Sequence, residues 1–237
     1  NIMEQATFEE MPLYGNEIDK ARAFMKIQEG CNNYCSFCII PYTRGKLKSR
    51  RVDDIKQEAQ RLVDHGYHEI VLTGIHLGNY GVELPGRPNL AAVVKELLTI
   101  DGLERIRLGS IESVEVSPEL VELMAKEKRF CSHLHLPLQA GSDAILKAMN
   151  RHYTLDEYKE LIRNLRARIP GLSVTTDIIA GFPGETDELF EETLNTVKEI
   201  GFTHIHAFPY SKREGTPAAV MDNQVPEAVK KTRVALL

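Results

Sequence analysis

The stretch Glu29-Gly30-Cys31-Asn32-Asn33-Tyr34-Cys35-Ser36-Phe37-Cys38 holds three of the four cysteines in a chain of 237 residues. The spacing is Cys-x3-Cys-x2-Cys. A thiolate triplet this tight can grip three irons of a cubic [4Fe–4S] cluster and leave the fourth iron without a protein ligand. An open metal position marks a reactive site, by the logic that separates catalytic from structural zinc. A zinc site more often brings Cys-x2-Cys pairs and four ligands, and here the fourth would have to be Cys131 or a distant histidine. A disulfide framework suits the chain less well, since it is long, poor in cysteine and without a secretory signal pattern. Phe37 reads equally as a core aromatic or as a cofactor contact.

Outward from this loop, short apolar runs alternate with amphipathic stretches. Ala23–Gln28 reads as a strand running into the cysteines. Val52–His65 reads as a helix with Ile55, Ala59, Leu62 and Val63 on one face. Strands are expected at Glu69–Thr73, Arg105–Leu108, His133–Pro137, Ser173–Ala180 and His204–Phe208. Helices are expected at Leu90–Thr99, Pro118–Lys126, Asp143–Met149, Leu155–Arg168, Asp187–Ile200 and Pro226–Leu237. Six β-α units imply a parallel sheet covered by helices, either an open doubly wound sheet or a partial barrel. Both place ligands at the carboxyl ends of the strands. Residues 1–20 read as an acidic, irregular linker with Pro12 and Gly15.

Composition limits the function classes. A hydrophobic content of 43% supports a substantial core. No apolar run approaches the roughly 20 residues that span a bilayer, so no membrane partner is expected. The net charge of −5 argues against indiscriminate nucleic-acid binding but leaves room for a local basic face. One candidate is Arg44-Gly45-Lys46-Leu47-Lys48-Ser49-Arg50-Arg51, with five cations in eight residues. It reads either as a solvated loop or as a set of phosphate contacts.

The polar and glycine positions cluster where strands end. Gly74, in Thr73-Gly74-Ile75-His76, lets backbone approach a ligand or simply turns the chain. His133 and His135 share one strand face and read as satisfied core or rim side chains rather than metal ligands. Gln139 and Ser142 could bond a ribose, and Ser142 also reads as the cap of the next helix. Asp177 interrupts an apolar strand, which is costly unless it is paired or holds a ligand hydroxyl. Gly181 and Gly184 permit an unusual turn after it, and Tyr210 closes the last strand.

In this order the strings resemble the radical S-adenosylmethionine (SAM) methylthiotransferases. The resemblance rests on Glu29–Pro41 with its triplet, Arg44–Arg51, His133–Asp143, Asp177–Glu185 and Tyr210–Thr216, and it spans nearly all of residues 22–237. The segment Glu69–Gly78 is most similar to the MtaB type, which modifies threonylcarbamoyladenosine beside the tRNA anticodon. Relatives acting on isopentenyladenosine or on a ribosomal protein are the alternative, as is a non-catalytic metal-bearing RNA-binding module.

The resemblance implies an α/β fold, a partial (β/α)6 TIM-like barrel of the radical SAM type, and an enzyme that works in the cytoplasm. It implies that Cys31, Cys35 and Cys38 bind a [4Fe–4S] cluster whose open iron chelates SAM. Phe37, Gly74, Gln139, Ser142, Asp177 and Tyr210 would then line the cofactor. Arg44, Lys46, Lys48, Arg50 and Arg51 would engage the anticodon stem-loop of tRNA, and a flavodoxin or ferredoxin would supply electrons. Family members also carry a first domain with a second [4Fe–4S] cluster and a terminal RNA-gripping TRAM barrel. The expected division is therefore a linker at 1–20, a catalytic domain at 21–225, and a helical lead-in to TRAM at 226–237.

Overall fold

The computed structural model describes residues 21–237, so the expected linker at 1–20 lies outside the described residues. Among the described residues seven strands form in chain order. They are β1 (Ala23–Glu29), β2 (Lys48–Ser49), β3 (Glu69–Gly74), β4 (Arg105–Leu108), β5 (His133–His135), β6 (Ser173–Ala180) and β7 (His204–Pro209). The helices are α1 (Ile40–Arg44), α2 (Val52–Asp64), α3 (Leu90–Leu97), α4 (Pro118–Lys126), α5 (Asp143–Ala148), α6 (Leu155–Arg168), α7 (Asp187–Ile200) and α8 (Glu227–Leu236).

The strands lie in two sheets, β2-β1-β3-β4 and β5-β6-β7. Parallel bridges Ile106↔Phe130 and Ser110↔His135 carry the first sheet into the second. Among the described residues the result is six parallel strands in sequence order, with β2 alone running antiparallel, against β1. Among the described residues no pairing joins β7 to β1 or β2, so the barrel stays open. The sequence therefore resolves to the partial barrel rather than the doubly wound sheet.

Alternation on β6 shows how the layers form. Val174, Thr176, Ile178 and Ala180 are buried, while Ser173, Thr175, Asp177 and Ile179 are only partly so. A two-residue period sends the first set toward the helices and the second into the barrel interior. On α2 the buried Ile55, Ala59 and Leu62 recur at helical spacing and face the same core. One cluster includes Met25, Ile27, Leu72, Ile106, Leu134, Val174 and Ile178, so both sheets share a single core.

Strand β5 is shorter than its apolar pattern suggests. Pro137 has no N–H to donate, and the chain leaves the ladder after His135. Side chains then bond the freed carbonyls: Tyr158 Oη and Thr176 Oγ1 donate to Leu136 O, and Tyr153 Oη donates to Leu138 O. This fixes residues 136–139 as a rigid lip on the barrel's carboxyl end. At the C-terminus, α8 packs on β6 and β7 and sends Arg233 into a buried pair with Glu185.

Candidate functional site

The cysteine loop leaves β1 through Gly30, whose φ is +76°. The loop is pinned from three sides. Cys31 N–H donates to Gly45 O at 3.2 Å, Ser36 N–H to Met149 O at 3.0 Å, and Ala218 N–H to Ser36 O at 2.8 Å. Ser36 Oγ donates to Ala148 O at 2.7 Å, and Asn150 Nδ2 to Tyr34 O at 3.0 Å and Asn33 O at 3.3 Å. The turn after α5 thus clamps the loop. Its residue Asn150 adopts φ +59°, a left-handed conformation that asparagine tolerates better than most residues.

All four cysteines are free thiols. Among the described residues, no three His, Cys, Asp or Glu side chains converge as a single metal ion requires. Three thiolates on one loop are the donor set that a [4Fe–4S] cluster with one open iron takes. The donor set fits that group, since the sulfurs face hydrogen-bond donors. Cys31 Sγ lies 3.6 Å from His76 Nδ1 and 3.5 Å from the Asn33 N–H. Cys35 Sγ lies 3.3 Å from Arg151 Nη1. Burial pushes the Cys35 thiol up, against the opposing pull of Arg151. Burial likewise pushes Cys38 up, opposed by the Ile40 backbone and by the charges of Arg151 and Arg213.

Two buried networks support these contacts, and sequence reasoning missed both. His76 is 2% exposed; its Nε2 meets Glu115 Oε1, and its N–H donates to Gln28 Oε1 at 2.7 Å. Asn79 Nδ2 donates to the same Glu115 oxygen at 2.9 Å. Burial opposes the His76 charge, but the Cys31 sulfur and the Glu115 carboxylate outweigh it, pushing its pKa up to about 9. Gln28 in turn donates to Glu29 O and Gly30 O at 2.8 and 3.0 Å, bracing the entry to the loop. Arg151 pairs with both carboxylate oxygens of Glu112 and donates to Tyr153 Oη at 3.2 Å. No local pattern marks these roles, because the Cys31, Gln28 and Glu115 partners of His76 and the Cys35 and Glu112 partners of Arg151 lie tens of positions away in sequence.

The strand-end residues divide. Asp177 lies in the barrel interior with Oδ2 3.2 Å from His135 Nε2, so the pairing that its position demands is present. Gln139 adopts φ +69°, and its backbone brackets β6: its N–H donates to Asp177 O and its carbonyl accepts from Ile179 N–H, both at 2.8 Å. Arg151 ties this lip to the cysteines, since it also donates to Pro137 O at 3.3 Å. Gln139, Asp177 and the triplet therefore share one end of the barrel. His133 Nε2 and His135 Nδ1 both meet Thr175 Oγ1, at 3.2 and 2.9 Å, but His133 is only half satisfied, since its buried Nδ1 has no partner.

The remaining expected cofactor contacts have the following surroundings. Gly74 is a glycine because Gln28 is there: a Cβ would lie 3.0 Å from Gln28 Cβ and Oε1. Ser142 sits at the N-cap of α5 but makes no capping bond, and its buried Oγ has no partner. Tyr210 is 3% exposed, with a buried, unpartnered hydroxyl and its ring against Phe182 at 5.4 Å. Both hydroxyls are thus buried without a protein partner. Phe37 is half-buried and packs on the core.

The basic run is also divided. Lys48 and Arg50 are each 5% exposed, and Arg50 pairs with Glu58. Pairing of β2 with β1 carries this part of the run into the fold. Arg44, Lys46 and Arg51 stay on the surface, Arg44 with a 3.3 Å contact to Glu29.

Comparison with known proteins agrees with this geometry. The family pattern described as the radical SAM superfamily matches residues 25–197. The chain is 48% identical over 235 residues to the threonylcarbamoyladenosine tRNA methylthiotransferase MtaB of Bacillus subtilis (strain 168), covering 99% of this chain and 52% of that protein. It is 47% identical over 213 residues to a tRNA-2-methylthio-N(6)-dimethylallyladenosine synthase of Carboxydothermus hydrogenoformans, covering 90% of this chain and 48% of that protein. The chain thus spans about half the length of the curated relatives it matches. Among solved structures, the radical SAM methyltransferase TsrM of Kitasatospora setae, with cobalamin and a [4Fe–4S] cluster bound, superposes with a TM-score of 0.66 at 19% identity. That match covers 84% of this chain and 38% of the other. Methylornithine synthase superposes with a TM-score of 0.61 at 18% identity, covering 90% and 60%. At these identities the two structures speak for the fold alone.

Proposed function

The chain belongs to the radical SAM superfamily, and from that premise we propose that it is the catalytic segment of a tRNA methylthiotransferase. The observation that carries the reading is the pinned Cys31–Cys38 loop, its sulfurs facing buried donors at the end of the barrel that also holds Asp177 and Gln139. When bound, a [4Fe–4S] cluster would supply the electron for reductive cleavage of SAM. The chain's own part is to hold, orient and exclude water. Cys31, Cys35 and Cys38 would hold the cluster. Asp177, kept in place by His135, would accept bonds from ribose hydroxyls, and Gln139 would present its amide beside it.

The substrate we favour is threonylcarbamoyladenosine next to the anticodon, following the MtaB relative. Isopentenyladenosine is the second reading, because the dimethylallyladenosine synthase is almost equally similar. The sulfur would come from a second cluster held by a further domain of the whole protein. A low-potential flavodoxin or ferredoxin would supply electrons, and tRNA as substrate would place the work in the cytoplasm. Among the described residues no helix is long and apolar enough to cross a membrane.

Anaerobic reconstitution with iron and sulfide, followed by SAM and dithionite, tests the first step. Release of 5′-deoxyadenosine and methionine is expected, and a reconstituted protein that leaves SAM intact would favour the non-catalytic module. Mass spectrometry of tRNA nucleosides after expression of the whole protein in cells lacking each modification then separates the two adenosines.

Asp177→Ala should weaken SAM binding about tenfold to a hundredfold, as removal of a charge-assisted hydrogen bond does. Its iron content should match the parent. Equal SAM affinity in titrations of variant and parent would take Asp177 out of the site.

For the basic loop, the expectation rests on Arg44, Lys46 and Arg51. Neutralising all three should weaken tRNA binding and reduce the salt slope by up to about three, because each phosphate contact releases counterions. A slope unchanged between about 50 and 200 mM salt would return the loop to a solvated surface.

A further inference from the structure

The second network around the cysteines has a chemical consequence for the cluster itself. Arg151 is sequestered, its side chain 3% exposed, and each of its three guanidinium nitrogens is engaged. Nη1 reaches Cys35 Sγ at 3.3 Å and Glu112 Oε1 at 3.1 Å. Nη2 reaches the other Glu112 oxygen and Pro137 O, and Nε reaches Tyr153 Oη. The guanidinium also lies 5.1 Å from the Tyr153 ring centroid. Tyr153 is locked by its own bonds to Pro137 O and Leu138 O at 3.1 and 2.9 Å. The turn that delivers Arg151 is the one that clamps the cysteine loop through Ala148, Met149 and Asn150. Fork, clamp and lip therefore hold one cationic N–H against one sulfur.

We propose that Arg151 is a positioning residue that raises the reduction potential of the cluster held by Cys31, Cys35 and Cys38, with Glu112 setting how far. The inference rests on the cluster assignment made above. Reduction adds one electron to the cluster, from an external low-potential donor, and makes or breaks no protein bond. The added negative charge spreads onto the thiolate sulfurs. A buried donor aimed at Cys35 Sγ stabilises the reduced form more than the oxidised one, and hydrogen bonds to sulfur are among the levers that set such potentials. Burial strengthens the effect, because no water screens it. Glu112 anchors the fork but also brings a negative charge toward the same sulfur. The two partners therefore act in opposite directions, which a purely structural brace would not do.

The test is an EPR-monitored dithionite titration of the reconstituted protein without SAM. Arg151→Gln should lower the midpoint potential, and Glu112→Gln should raise it. A tenfold change in the reduction equilibrium corresponds to about 59 mV for one electron. Arg151→Lys, which keeps the charge and loses the fork, should fall between parent and Arg151→Gln. If Arg151→Gln cannot retain iron, Arg151→Lys and Glu112→Gln decide the question by their signs. Unshifted potentials, or shifts in the same direction for Arg151→Lys and Glu112→Gln, would overturn the proposal and leave Arg151 as a brace. A parent protein that forms no cluster would instead overturn the cluster assignment, so the two failures are distinct.

Discussion

Replacing any one of Cys31, Cys35 or Cys38 by alanine is expected to reduce the iron bound after reconstitution to background, while Cys131→Ala leaves it at the parent level. Three thiolates are the fewest that can fix a cubic cluster with one open iron, so each is indispensable. The fourth cysteine sits elsewhere. Cys131 N–H donates to Ile106 O just before β5, at the amino end of the strands, whereas the triplet follows the carboxyl end of β1. Burial pushes the Cys131 thiol up, and its charged neighbours are Arg107, Glu69 and Arg105. It is only half-buried, not the fully enclosed core residue that free cysteine usually becomes. Iron and sulfide analysis with the visible charge-transfer band checks the set. Equal loss of iron in Cys131→Ala would demand a four-cysteine site.

The six β-α units were legible because each strand is short, apolar and bounded by turn residues, and each helix is amphipathic. Arg105–Leu108, Pro118–Lys126, Leu155–Arg168, Ser173–Ala180 and Asp187–Ile200 form between the expected bounds. What sequence could not supply was tertiary pairing. The run Arg44–Arg51 reads as exposed throughout, either as a solvated loop or as phosphate contacts, yet a two-residue strand against β1 buries Lys48 and Arg50. Composition cannot register so short a pairing. Ser142 stands where a cap should stand, but its φ of −135° and ψ of 130° are not accompanied by a capping bond.

The same distinction governs the site. The triplet can be proposed as a ligand set from sequence because ligand spacing within a loop is local information. Asp177 was legible because a carboxylate within an apolar strand raises a question of pairing, and His135 answers it. His76, Glu115, Arg151 and Glu112 were not, because their roles arise only when α5 and the β3 and β4 loops converge on the cysteines. A histidine after a glycine turn and an arginine after a helix carry no mark of such a role.

Gly30→Ala is expected to damage both stability and the cysteine loop severely. Its φ of +76° already disfavours any side chain, by about 1–2 kcal/mol. Space adds the larger part. A Cβ there would fall inside the Lys46 carbonyl, with Lys46 C at 2.5 Å and Gly45 O at 2.8 Å. These are backbone atoms and cannot rotate away, so residues 45–46 must move. That movement breaks the Cys31 N–H bond to Gly45 O and strains the pairing of Glu29 with Lys48. Gly184 provides the control. It adopts φ +86°, but an added Cβ meets nothing within 4 Å. Gly184→Ala should therefore cost only the conformational strain, about 1–2 kcal/mol. Gly30→Ala should exceed it by about 2 kcal/mol or more, in the range where large mutational losses have a named steric cause. Chemical denaturation of the two variants measures the difference, and iron content after reconstitution should fall in Gly30→Ala alone. Equal stability of the two variants, with iron retained in both, would mean that the loop can yield and that the close approach of Gly30 to Lys46 does not set the cluster site.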